Sequence, residues 1–236
     1  MRANYRDFTI ILPTLNEGRT IGRVLDYILR NYESARIIVA EEGSSDGTRE
    51  TVKRFVSKNR NVTLFDRSLK GLRPGLTASV LDAIELSRTR FVIVLDADMQ
   101  HPPGKIRKVA KGLEEGNTLV VATRARVTEW DFYRKAISRS LMCIGRLVLF
   151  VGHKETCSDI FSGFFGVERK FFVGVLKRNR GRFVEEGYKV LFDLLKCVDR
   201  GTIRISEAPF VFRIRKFGSS KAGFAQGMAL LKSYVT

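Results

Sequence analysis

Three acidic clusters each follow an apolar run: Pro13-Thr14-Leu15-Asn16-Glu17, Glu41-Glu42-Gly43-Ser44-Ser45-Asp46 and Asp96-Ala97-Asp98-Met99-Gln100-His101. Asp96 and Asp98 are two positions apart, so on extended backbone both carboxylates leave the same face and can share a hard divalent cation. Gln100 continues that spacing. Mg2+ or Mn2+ prefers oxygen ligands and completes its shell with water and phosphate, so this set suits a cation bridging to a diphosphate. The same residues could instead serve turn formation and capping ahead of Pro102-Pro103, but the apolar run before Asp96 favours the cation. His101 and His153 lack the H-E-x-x-H spacing of a histidine metal site, which leaves His101 in support beside the cation and His153 at the surface.

The elements that must position these groups are legible as alternation. Apolar β-forming runs at 8–12, 36–40, 62–65, 91–95 and 119–123 read as strands. Between them, 20–30 (Ile21, Val24, Leu25 and Ile28 on one face), 48–58 and 74–87 read as helices. Such βαβ repetition implies right-handed crossovers, a mostly parallel sheet covered by helices, and ligands bound beyond the carboxyl ends of the strands. After the fifth strand the pattern loosens into an Arg-rich helix, a Phe-rich patch and a basic tail. No Pro/Gly/Ser-rich linker divides the 236 residues, which therefore read as one α/β domain.

Against 25 acidic residues stand 42 basic ones, a net charge of +17 that attracts nucleic acid, anionic lipid and phosphorylated substrates alike. A nucleic-acid module would interleave basic and aromatic residues without an acidic cluster where the ligand belongs, so no nucleic-acid partner is expected. No apolar stretch approaches the roughly 20 residues that span a bilayer. The first residues lack the apolar core and cleavage site of a signal peptide, so the expected location is the cytoplasm. Cys143, Cys157 and Cys197 are odd in number and widely spaced, which points to reduced, mostly buried thiols.

Five ordered motifs carry a resemblance across nearly the whole chain: Ile11-Leu12-Pro13-Thr14-Leu15-Asn16-Glu17, Glu41 to Thr48, Asp96-Ala97-Asp98-Met99-Gln100-His101-Pro102, Ser162-Gly163-Phe164 and Lys216-Phe217-Gly218-Ser219-Ser220-Lys221. They resemble those of family 2 glycosyltransferases, and within them the dolichol-phosphate mannose synthase group. The resemblance implies a GT-A fold and an inverting transfer of mannose from GDP-mannose to a dolichyl or polyprenyl phosphate. By the same resemblance Pro13, Leu15, Glu17, Ala40, Glu42, Asp46 and Ala97 would line the nucleotide-sugar site, Asp96, Asp98 and Gln100 would hold the metal, and Lys189, Arg215 and Lys221 would face phosphates. Residues 1–123 then form the nucleotide-sugar and metal half, and 124–236 the acceptor and membrane-facing half. Two departures concern the nucleotide. The family has Asp-Asp at Glu41-Glu42 and a Gly-rich loop at Lys70-Gly71-Leu72-Arg73-Pro74-Gly75, which keeps a UDP-sugar such as UDP-glucose as the alternative donor, and binding without turnover as a further one.

Beside that resemblance the Arg-rich segment acquires a use. Arg124, Arg126, Arg134, Lys135 and Arg139 follow the fifth strand, and guanidinium forks match phosphate oxygens. Arg134 and Arg139 are the candidates for the acceptor phosphate. The helix over 137–151 places Ile137, Leu141, Ile144 and Val148 in one stripe, and the tail repeats this with Phe224, Met228, Leu231 and Val235. With basic borders, both are expected to lie in a headgroup layer at the cytoplasmic face of an anionic membrane, where a partner subunit could add anchoring; core packing would give the same stripes. Phe161, Phe164, Phe165, Phe171 and Phe172 are expected in the core and the acceptor-cleft wall. A phosphate monoester, with a second pKa of about 6, is already nucleophilic near neutrality, so no protein base is needed and Asp159 is expected to order the acceptor loop.

Overall fold

The computed structural model describes residues 4–72, 74–127, 132–185, 187, 189–212 and 233–234. Seven strands form one sheet: β1 (Phe8–Thr14), β2 (Arg36–Glu41), β3 (Val62–Asp66), β4 (Phe91–Val94), β5 (Leu119–Val127), β6 (Phe165–Glu168) and β7 (Ile205–Phe212). Their order is β3-β2-β1-β4-β6-β5-β7, with β6 antiparallel to both neighbours and every other pairing parallel. The helices are α1 (Ile21–Asn31), α2 (Thr48–Val56), α3 (Leu76–Leu86), α4 (Ile106–Glu114), α5 (Phe132–Val151), α6 (Arg169–Asn179) and α7 (Val190–Lys196).

Both sheet faces are covered, which is why β1, β2 and β4 read as largely apolar runs that do not alternate. Ile10, Leu12, Ile37 and Val39 pack on the side of α1 and α4, whereas Ile11, Ile38 and Ala40 pack on the side of α3, α6 and α7. The five expected strands and the helices between them are all present. The Phe-rich patch and the segment before the tail supply two more strands, β6 and β7, that periodicity did not reveal. Phe164, Phe165 and Phe172 are fully buried, and Phe161 nearly so. Among the cysteines Cys157 is buried, but Cys143 is exposed on α5.

The stripe expected on α5 divides. Leu141 and Val148 pack on the core with Met142 and Leu149, while Ile137 and Ile144 are exposed together with Leu147, Phe150 and Val151. α5 can approach the core closely because position 145 is glycine: a Cβ there would lie 2.7 Å from Ile160 Cδ1 and 3.0 Å from the Phe161 ring. Core packing and an exposed apolar face are therefore both present, on different sides of one helix. The tail stripe of Phe224, Met228, Leu231 and Val235 lies outside the described residues.

Candidate active site

The chain leaves β1 for β2 on one side and returns to β4 on the other. Strand order reverses at β1, and the crevice at the carboxyl ends of β1 and β4 is where an open α/β sheet binds ligands. All three acidic clusters reach this edge.

The loops after β1 and β2 are stitched together by their own side chains. The Asn16 amide donates to Ser44 Oγ at 2.8 Å, and Asn16 Oδ1 accepts from the Ser45 amide at 2.9 Å. Asn16 adopts φ 53°, one of the few non-glycine left-handed residues, which turns the chain toward α1. The Glu17 amide donates to Thr48 Oγ1, and its buried carboxylate accepts from Thr20 Oγ1 at the start of α1. Asp46 accepts from the Gly18 amide at 2.8 Å and from the Thr48 amide and hydroxyl. Burial pushes its carboxyl up, but the bonds from Thr48 and Gly18 outweigh that and hold it below the ordinary carboxylate range. Pro13 and Ala40 are buried at the carboxyl ends of β1 and β2, and Leu15 is partly exposed.

The two glutamates have separate roles. Glu41 is the last residue of β2 and is fully buried, so it is no loop residue as the sequence suggested. Its carboxylate turns back onto the Gly43 and Ser44 amides at 2.8 and 2.6 Å and pairs with Arg49, which also meets Asp66 at 2.8 Å. Glu42, partly exposed, accepts from the Gly75 amide at 2.9 Å and from Ser79 Oγ. Ser79 in turn accepts from Arg67, whose guanidinium is held at 3.0 and 2.9 Å by Asp82. The longer side chain of Glu42 thus ties the end of β2 to the start of α3.

After β4 the extended backbone runs out. Ala97 is buried, whereas Asp96 and Asp98 are partly exposed. Met99 then turns with φ 65°, and Asp98 Oδ1 accepts from the Gln100 amide at 2.9 Å. Gln100 consequently does not continue the strand spacing; the turn that Asp98 stabilises sets its direction. His101 is buried with Nδ1 3.1 Å from Asp96 Oδ2.

The Ser162-Gly163-Phe164 segment closes the far wall. Ser162 Oγ donates to the Ala122 carbonyl of β5 at 2.6 Å, pinning the loop before β6. Gly163 lies against the acidic loop, where a Cβ would fall 2.7 Å from Asp96 Oδ2. Asp159 holds Arg124 through two bonds, at 2.6 and 2.7 Å. Burial raises the Asp159 carboxyl, but hydrogen bonds and charge from Arg124 prevail and lower it. Lys189, just before α7, is partly buried with Nζ 4.9 Å from the Phe161 ring centre. Burial first, then repulsion from Arg124, pushes its ammonium down to about 7, against the opposing pull of Asp159 and Asp96.

Asp96 and Asp98 follow β4 and Glu42 follows β2, while Lys189 feels the charges of Asp96, Asp159 and Arg124. Arg139 is exposed on α5. The Arg134 side chain, Arg215 and Lys221 lie outside the described residues. The Arg124–Asp159 lock, the contact of Gly163 with Asp96, and the Glu42–Ser79–Arg67–Asp82 chain were not legible in the sequence, because their members are brought together only by the tertiary fold.

The sequence profile of glycosyl transferase family 2 matches residues 9–174. A curated relative from Pyrococcus furiosus named dolichol-phosphate mannosyltransferase is 30% identical over 222 residues, covering 90% of this chain and 58% of the relative. One of the same name from Saccharomyces cerevisiae is 25% identical over 228 residues, covering 91% and 80%. The chain thus spans little more than half of the Pyrococcus protein. Among solved structures, glucosyl-3-phosphoglycerate synthase from Mycobacterium tuberculosis in complex with phosphoglyceric acid superposes with a TM-score of 0.68 at 20% identity, over 97% of this chain and 80% of that one. The same synthase in complex with Mn2+, UDP and glucosyl-3-phosphoglycerate gives 0.67 at 21%, over 96% and 79%. At these identities the likeness is one of fold.

Proposed function

Because the chain belongs to glycosyl transferase family 2, we propose that it transfers mannose from GDP-mannose to a dolichyl or polyprenyl phosphate with inversion at the anomeric carbon. The observation that carries this reading is that Lys189 feels the charge of Asp96, the first of the two partly exposed aspartates after β4, in a chain whose relatives are named for that transfer. The acceptor oxygen forms the new bond to the anomeric carbon as the bond to the diphosphate breaks on the opposite side. The reading that a UDP-sugar is the donor is favoured by one observation, the UDP complexes of the structural neighbour. A panel of GDP- and UDP-sugars with one polyprenyl phosphate is expected to give transfer with GDP-mannose first. Transfer from UDP-glucose alone would move the assignment to the second reading, and binding without transfer from any donor would refute both.

The donor set at the crevice fits Mg2+ or Mn2+. Among the described residues no three or more His, Cys, Asp or Glu side chains gather as a metal cage. Two partly exposed carboxylates, with Gln100 nearby, suit a hard cation that draws its other ligands from diphosphate and water. Bound there, the cation supplies charge neutralisation for the departing diphosphate. Lys189 orients phosphate by charge, with Arg139 and, beyond the described side chains, Arg134, Arg215 and Lys221 as further partners. Asp159 holds Arg124 in place and moves no proton.

The titration of Lys189 has a visible consequence. With its ammonium pushed down to about 7, Lys189 is expected to carry its charge below that value and to lose it above in the free protein. The acceptor gains its second negative charge above a pKa of about 6. Transfer, read as kcat/KM, is expected to rise through the first value and fall through the second. In Lys189→Met the falling limb should vanish along with most of the affinity for phosphate. A wild-type profile flat from pH 6 to 9 would sink this assignment.

The exposed face of α5 supports docking on an anionic membrane. Ile137, Ile144, Leu147, Phe150 and Val151 are joined there by Arg139, and the Arg200 guanidinium sits 5.3 Å from the Phe150 ring centre. No helix among the described residues is long and apolar enough to cross a bilayer. Binding to vesicles containing anionic lipid is expected, weakening as salt rises. Salt-independent binding, or none, would refute a peripheral mode at the cytoplasmic face.

A further inference from the structure

Asp96 has a close neighbour on each of two sides. On one side stands His101, 5% exposed, with Nδ1 3.1 Å from Asp96 Oδ2. The imidazole is held edge-on against two buried rings, Phe164 at 5.9 Å and Phe210 at 5.5 Å between centroids. Phe164 precedes β6 and Phe210 lies in β7, so two elements remote in sequence fix the plane of the ring. On the other side lies Gly163, where a Cβ would stand 2.7 Å from the same Oδ2 and 3.1 Å from Oδ1. The carboxylate has no room to swing toward Gly163 if anything larger stands there. Its side chain keeps 31% exposure, so part of the carboxylate remains accessible.

From this geometry we propose that His101 is a positioning residue for the divalent cation, fixing the orientation of Asp96 through Oδ2 so that the carboxylate enters the coordination shell already aimed. The inference rests on the reading of Asp96 as a cation ligand. Carboxylates that bind metal are commonly held by an outer partner, and loss of such a partner weakens metal affinity about 10- to 100-fold. A histidine suits the position because Nδ1, within 3.1 Å of the carboxylate, sits on a rigid ring that the aromatic neighbours can clasp. A lysine or arginine donor would bring a fixed positive charge next to the cation and oppose its binding.

Mn2+ binding can be followed by electron paramagnetic resonance of the free ion, with GDP and in parallel with UDP present, for the wild type, His101→Leu, His101→Asn, His101→Gln and Phe210→Leu. Asparagine places its amide donor near the position of Nδ1, and glutamine nearer that of Nε2. His101→Leu is expected to bind Mn2+ about 10- to 100-fold more weakly. His101→Asn should recover most of the loss and His101→Gln little of it, and this pair decides the matter even if the leucine variant does not fold. Phe210→Leu should lower Tm while retaining more Mn2+ affinity than His101→Leu. Wild-type affinity in His101→Leu, or equal losses in the asparagine and glutamine variants, would overturn the positioning role while leaving Asp96 as a ligand. Absence of Mn2+ binding to the wild type with either nucleotide would overturn the cation reading itself.

Discussion

Asp98→Asn is expected to lower transfer by about 100- to 1000-fold at ordinary Mg2+ or Mn2+ concentrations, the scale seen when one preorganised charge-stabilising group is removed. The fold should survive, for a local reason. Asp98 is partly exposed, and its Oδ1 accepts from the Gln100 amide at 2.9 Å across the turn at Met99. Asparagine offers the same carbonyl oxygen to that amide, so the turn keeps its bond and loses only the negative charge. Circular dichroism and Tm should therefore match the wild type within a few degrees, while Mn2+ binding in the presence of nucleotide weakens. Full activity in a well-folded variant would remove Asp98 from the cation site, and collapse of the fold would assign it to the turn.

The second large effect is on stability. Asp159, almost fully buried, holds Arg124 at 2.6 and 2.7 Å. Removing one partner of a buried pair leaves the other uncompensated and costs about 3–5 kcal/mol, less here because Arg124 keeps 17% exposure and asparagine can still accept one bond. Asp159→Asn should thus lose about 2–3 kcal/mol at neutral pH. The sign with pH follows from the lowered carboxyl. Its folded pKa lies below an unfolded value of about 3.9, so the wild-type advantage is complete well above that value and is lost as pH falls through the folded pKa. Urea melts of both proteins should differ by a constant amount from pH 8 to 5 and converge in more acidic buffer. A gap that widens on acidification would contradict the pair.

The same variant tests the chemistry. With a saturating polyprenyl phosphate its kcat should keep the wild-type dependence on pH, because the acceptor dianion needs orientation and no deprotonation. Selective loss of the chemical step, with donor and acceptor still bound, would make Asp159 the base.

The sequence by itself determined the alternation of β1 to β5 with α1 to α3 and the acidic turns that end three of those strands. Those features are local: apolar period, Gly-Asp-Ser turn chemistry and the spacing of Asp96 and Asp98 act over a few residues. It did not determine β6 and β7. Phe165–Glu168 is four residues long and antiparallel, and Ile205–Phe212 carries Ser206 and Glu207 among its apolar residues, so neither has the signature of a buried parallel strand. Only tertiary structure inserted β6 between β4 and β5, which carries Gly163 to Asp96 and Phe164 to His101. It also turned Glu41 inward, tied Glu42 to Ser79 across 37 positions and locked Asp159 on Arg124 across 35. Partners that far apart in the chain leave no periodic trace, because the strand order that joins them is selected by the burial of both sheet faces at once.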